Sequence, residues 1–151
     1  MALGLTDSPR IEWDAYDLIT LDGIRIEVKS SAYIQTWYQT GLSRISFDIA
    51  PKRFWDERTH KYSDAYQRHS DVYVFCLFTC KDPSAANPLD LRQWEFYVVP
   101  TALLNSKLGT QKTLSLGALQ KFSSSPISFY EIKEHVCSCD VSSPMDISPV
   151  T

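Results

Sequence analysis

The stretch Asp71 to Thr79, Asp-Val-Tyr-Val-Phe-Cys-Leu-Phe-Thr, is the most hydrophobic run in the chain. Its length and its β-branched and aromatic content mark a strand, and its unbroken apolar character means that both faces are buried. A strand buried on both faces lies centrally in its sheet, so helices or other layers must cover that sheet. With 151 residues the chain is long enough for one such core, and a hydrophobic share of 44% is that of a folded domain.

The rest of the chain supplies partners for that strand. Arg44 to Ile49 alternates, with Ile45, Phe47 and Ile49 on one side, and reads as a half-buried strand. Gln93 to Val99 is the next strand. Pro100-Thr101 then opens a short helix over Ala102 to Asn105, with Thr101 as its cap. Further helices are expected over Ser115 to Phe122 and Ser128 to Val136. Ser30 to Gly41 is ambiguous: Ala32, Tyr33, Ile34 and Trp37 make a helical face, but the same residues equally extend a strand. A single domain over residues 1–137 is expected, with a flexible tail over residues 138–151.

The charges gather in the stretch Ala15 to Lys29. Ala15 to Thr20 and Ile24 to Lys29 read as two strands, and Asp22-Gly23 between them is a hairpin signal. Glu27 and Lys29 share one face by the period of two, while Ile24, Ile26 and Val28 face the other way. A two-residue loop would put Asp17 on the opposite side. A three-residue loop, Leu21-Asp22-Gly23 with Gly23 left-handed, pairs Thr20 with Ile24 and sets Asp17 opposite Glu27, and this is the expected form. Two carboxylates at cross-strand distance repel unless something positive lies between them, and a divalent cation is the simplest candidate. Asp14 is the second choice for the first acid.

Asp17 followed by Glu27-Val28-Lys29 resembles the active-site signature of the PD-(D/E)xK, or restriction-endonuclease-like, nuclease superfamily. The resemblance covers roughly Trp13 to Pro100, and the broader sequence also looks like small, uncharacterised bacterial members of that superfamily. It implies an α/β fold with a mixed central sheet flanked by helices. It also implies that Asp17, Glu27 and the Val28 carbonyl hold Mg²⁺ (or Mn²⁺), that Lys29 positions the attacking water, and that Gln35 supports Lys29 or a phosphate. Hard oxygen ligands, a water of lowered pKa and an added ammonium charge suit phosphodiester hydrolysis. In that superfamily a helix precedes the first core strand. Here Met1-Ala-Leu-Gly-Leu offers one turn at most, so the first core helix is expected to be largely missing.

A net charge of −3 argues against a protein that coats nucleic acid, though an enzyme visiting DNA needs only one basic face. Lys52 to His69 is the candidate face. Lys52, Arg53, Arg58, Lys61 and Arg68 outnumber Asp56, Glu57 and Asp64 there, and the length of the loop suits a substrate-facing lid. Ser30, Lys52, Arg53 and Arg58 are the candidate nucleic-acid contacts. His135-Val-Cys137-Ser-Cys139 invites a zinc reading, but Cys76 and Cys80 lack the spacing of a second ligand pair, so reduced thiols are expected. No stretch is long and apolar enough to span a membrane and no signal peptide is evident, so a cytoplasmic protein is expected, with DNA as partner and a homodimer as a further candidate. The functional expectation is a Mg²⁺-dependent DNA endonuclease. The alternatives are a nuclease-fold binding or regulatory module without turnover and, more weakly, a zinc-stabilised interaction protein.

Overall fold

The computed structural model describes residues 16–123 and 125–139. Asp14, Ala15, the N-terminal segment and the tail from residue 140 onward lie outside the described residues. The fold is mixed α/β. A four-stranded sheet runs in the order β1 (Leu18–Ile19), β2 (Arg25–Ala32), β6 (Val72–Phe78), β7 (Trp94–Pro100). The apolar run thus forms β6, flanked on both sides as its burial demands, and Phe75 is fully buried. β2 and β6 are parallel, while the β1–β2 and β6–β7 pairs are antiparallel.

Period-two alternation divides the sheet's residues between two cores. On one face Tyr73, Phe75, Leu77, Tyr97 and Val99 pack against Ile45, Phe47 and Ile49, and against Leu104, Leu114 and Leu119. Those last residues come from α1 (Thr101–Leu108), β8 (Thr113–Ser115) and α2 (Leu116–Phe122). On the other face Ile26, Val72, Val74 and Phe96 meet Ile132 and Val136 of α3 (Ile132–Ser138). Among the described residues, three α-helices therefore cover the mixed sheet. No helix among the described residues is long and apolar enough to cross a membrane.

Parallel strands need a crossover, and the chain between β2 and β6 provides one. It forms β3 (Ser46–Asp48), which pairs with β8, and then an arm carrying the two-residue strands β4 (Trp55–Asp56) and β5 (Lys61–Tyr62). The arm closes on itself at its root, where Lys52 and Gln67 exchange backbone hydrogen bonds of 2.9 and 3.0 Å. It returns to the sheet at Asp71, which clamps the entry of β2. The Arg25 guanidinium donates to both Asp71 carboxylate oxygens, at 3.1 and 2.8 Å, and the Arg25 amide adds a third bond at 2.9 Å.

Several boundaries differ from those read in the sequence. The ambiguous segment after Lys29 extends the strand, so β2 runs to Ala32. The helix after β7 is longer than expected. Pro100 is its cap, and Thr101 lies inside it with a buried hydroxyl that finds no hydrogen-bond partner. Ser115 does cap α2, accepting from the Ala118 amide. The segment Ser128 to Val136 enters through a 3₁₀ turn, Phe129–Glu131, closed by a reciprocal Ser128–Glu131 capping box, before α3 begins.

Candidate active site

The hairpin has the three-residue loop. Leu18 pairs with Ile26 and Ile19 with Arg25, the Thr20 amide bonds the Ile24 carbonyl at 2.9 Å, and the Gly23 amide bonds the Thr20 carbonyl at 3.0 Å. Gly23 takes φ +85°, where a Cβ would be strained. The Thr20 hydroxyl adds a bond from the Ile24 amide. The paired residues end at Leu18; Asp17 lies just before them in a bend, so the expected cross-strand pair of Asp17 with Glu27 is not among them.

Asp17 is tied to β2 on either side of Glu27. Its amide donates to the Ile26 carbonyl at 3.0 Å, and its carboxylate accepts from the Val28 amide at 2.8 Å. The first acid therefore sits on the backbone between Glu27 and Lys29. Within a strand the N–H and C=O of one residue point to the same side, and successive residues alternate. The Arg25 carbonyl faces β6, where it accepts from the Asp71 amide, so the Val28 carbonyl faces the side on which Asp17 lies.

Glu27 lies on the large-core face, in register with Tyr73. It is only 8% exposed, and a carboxylate so buried requires a cationic partner. Two ammonium groups supply it: Lys29 Nζ at 2.8 Å and Lys52 Nζ at 3.6 Å, both on Oε1. Lys29 is itself largely buried, whereas the Lys52 side chain is 60% exposed. The crossover explains the meeting. The root of the arm comes down beside the start of β6, level with Glu27, and the backbone of Lys52 is fixed there by Gln67 and by a 2.9 Å contact from its carbonyl to His69 Nε2. Burial, the largest cause, together with the Glu27 charge pushes the Tyr73 phenol up to about 12, with Arg68 acting in the opposite direction.

The other expected site residues lie elsewhere. The Gln35 amide nitrogen bonds the Ala32 carbonyl at 3.1 Å and the Ser43 hydroxyl at 3.4 Å, tying its own turn together with Gln39. Ser30 and Gln35 line a separate hollow of about 240 Å³ with Ser31 and Trp94. Arg53 lies on the arm, its Nε on the Ser63 carbonyl and its guanidinium 5.5 and 5.9 Å from the Tyr62 and Tyr66 rings. Arg58 is exposed at the arm's tip, 4.0 Å from Asp56.

Arg68 overturns part of the basic-face expectation. It is 9% exposed and donates to four neutral oxygens: the carbonyls of Ile49, Gly109 and Gln111 and the side chain of Asn105. It joins the arm to β3 and the end of α1 and offers no surface charge to a duplex. Among the described residues no three His, Cys, Asp or Glu side chains gather as a metal-binding group. Cys139 Sγ turns to the His135 carbonyl at 3.3 Å.

The sequence matches no protein-family model, and no significant match to it was found among curated proteins or solved structures.

Proposed function

We propose that the protein is a metal-dependent phosphodiesterase acting on DNA, an endonuclease of the PD-(D/E)xK type on a restriction-endonuclease-like variant of the α/β fold. The observation that carries this reading is the Asp17 carboxylate seated on the Val28 amide at 2.8 Å, one residue along the strand from Glu27, whose carboxylate lies 2.8 Å from Lys29 Nζ. Two carboxylates and a backbone carbonyl are hard oxygen donors of the kind a divalent ion takes. The two ammonium groups on Glu27 show that this position attracts positive charge. Asp17, Glu27 and the Val28 carbonyl would hold Mg²⁺ or Mn²⁺, which when bound supplies a water of lowered pKa and stabilises charge on phosphate oxygens. Lys29 is fixed by its ion pair and its burial, so it orients the nucleophile without a search over rotamers. Lys52 places a second, more mobile ammonium where a backbone phosphate would arrive.

A second reading has its own observation. Glu27 is already neutralised by two lysines, and Gln35 is engaged in its own turn, as suits a nucleic-acid-binding or regulatory module without turnover. Cleavage of supercoiled plasmid and of single-stranded DNA with Mg²⁺ or Mn²⁺, compared with Glu27→Ala and Lys29→Ala, separates the two. Metal-dependent nicking lost in both variants supports the nuclease. DNA binding without cleavage under any of these conditions supports the module.

A further inference from the structure

Beside Glu27 lies a narrow cleft between β2 and the root of the arm, with a free volume of about 10 Å³, room for one water-sized atom. Its charged lining is unbalanced. Lys29, Lys52 and Arg68 face it against the single carboxylate of Glu27, and Asp48 lies just beyond, near enough to act on the Tyr73 phenol. The four bonds of Arg68 all go to neutral oxygens. Each lysine has three N–H donors, so one bond to Glu27 leaves others to spend.

The decisive atom is the Ser70 hydroxyl. Ser70 is 5% exposed and lines this cleft, and its Oγ makes no hydrogen bond of good geometry, its polar neighbour being the Tyr73 phenol. A buried hydroxyl left unpaired is costly, which makes an absent oxygen partner the economical explanation. His69 is not that partner's ligand. Its Nε2 meets the Lys52 carbonyl at 2.9 Å and its Nδ1 meets the Gln67 amide nitrogen at 3.4 Å, so both ring nitrogens serve to fix the root from which Lys52 reaches.

We infer that this cleft is an oxyanion subsite, in which the Ser70 hydroxyl and the Lys29 and Lys52 ammonium groups hold one non-bridging oxygen of a phosphate. The space admits one oxygen and leaves the rest of the phosphate outside, as a phosphodiester running along the surface requires. This deepens the phosphodiesterase reading and rests on it for its biological sense, but its test does not need the metal.

The test is titration of the ¹⁵N-labelled full chain with inorganic phosphate in EDTA at constant ionic strength, following the amides of Lys52, His69 and Ser70, with chloride as control. The expected result is saturable shifts at these residues. The apparent affinity should fall about tenfold in Lys52→Met and severalfold in Ser70→Ala, the loss of one charge-assisted and one neutral hydrogen bond. Ser70→Ala removes a hydroxyl that makes no hydrogen bond of good geometry, and its urea midpoint should match the parent's. Shifts that rise linearly, match those with chloride, or persist unchanged in both variants overturn the subsite. A single-stranded oligonucleotide titrated in EDTA identifies the source. Competition with phosphate for the same resonances assigns the oxygen to a nucleic-acid backbone, and shifts with inorganic phosphate alone assign it to a free phosphate. Saturable binding without cleavage in the plasmid assay leaves the subsite standing and removes the nuclease; cleavage without phosphate binding does the reverse.

Discussion

The Asp17 carboxylate accepts the Val28 amide at 2.8 Å, and so ties the start of the β1–β2 hairpin to the strand between Glu27 and Lys29. One side chain thus has a structural and a chemical duty, which substitution can separate. Asp17→Asn keeps an acceptor for the Val28 amide and removes the charge. Stability should stay within about 0.5 kcal/mol of the parent while metal-dependent cleavage is lost. Asp17→Ala should lose both, with a cost of about 1–2 kcal/mol for the charge-assisted bond. Urea unfolding beside the nicking assay reads the two effects apart.

Gly23 sets the hairpin register that brings Asp17 beside Val28. Its φ of +85° closes the three-residue loop, and any slip by one residue would send Asp17 to the opposite face. Gly23→Val should cost about 1–2 kcal/mol through strain in the left-handed region. It should also reduce cleavage further than its loss of stability explains, because the register shifts. Gly23→Asn should restore most of both, since asparagine tolerates that conformation. Midpoints in urea and cleavage rates for the pair test this.

What the sequence displayed was whatever rests on local pattern. β6 was legible because burial on two faces leaves an unbroken apolar run, and the hairpin because Asp22-Gly23 sits between two alternating runs, while the choice between a two- and a three-residue loop rested on the left-handed role expected of Gly23. Ile45, Phe47 and Ile49 showed their buried side through the same alternation. What stayed hidden was set by distant partners. β8 is three residues long and exists by pairing with β3, more than sixty residues earlier in the chain. Arg68 sits in a run of surface charges, and its four acceptors lie 19 to 43 residues away, so nothing beside it announces burial. Lys52 meets Glu27 only because the crossover returns its arm beside β6, a consequence of parallel pairing and not of any motif.

Arg68 yields a prediction that sets it apart from the exposed cations of the arm. Arg68→Met leaves four acceptors without their donor and should destabilise the fold by about 3 kcal/mol or more. Arg68→Lys should recover only part of this, because one ammonium cannot reproduce the planar fork that reaches β3, α1 and the segment after it. Arg58→Met, at an exposed tip, should change stability by no more than about 0.5 kcal/mol. Equal urea midpoints for the Arg68 and Arg58 variants would return Arg68 to the surface.

Tyr73 reports the electrostatics of the cleft from beneath it. Burial first, then the negative charge of Glu27, hold its phenol at about 12, while Arg68 opposes them. The folded value lies above the ordinary 10.0, so the contribution to stability is complete below about pH 10 and is lost as the pH rises toward about 12. Tyr73→Phe should therefore flatten the alkaline fall in stability across that window and leave the curve at neutral pH unaltered in shape. Absorbance titration of the parent minus Tyr73→Phe isolates the phenol. Its midpoint should move down in Glu27→Gln, where one source of the shift is removed. A midpoint that stays in place when Glu27 is neutralised would mean that the carboxylate does not act on this side of the sheet.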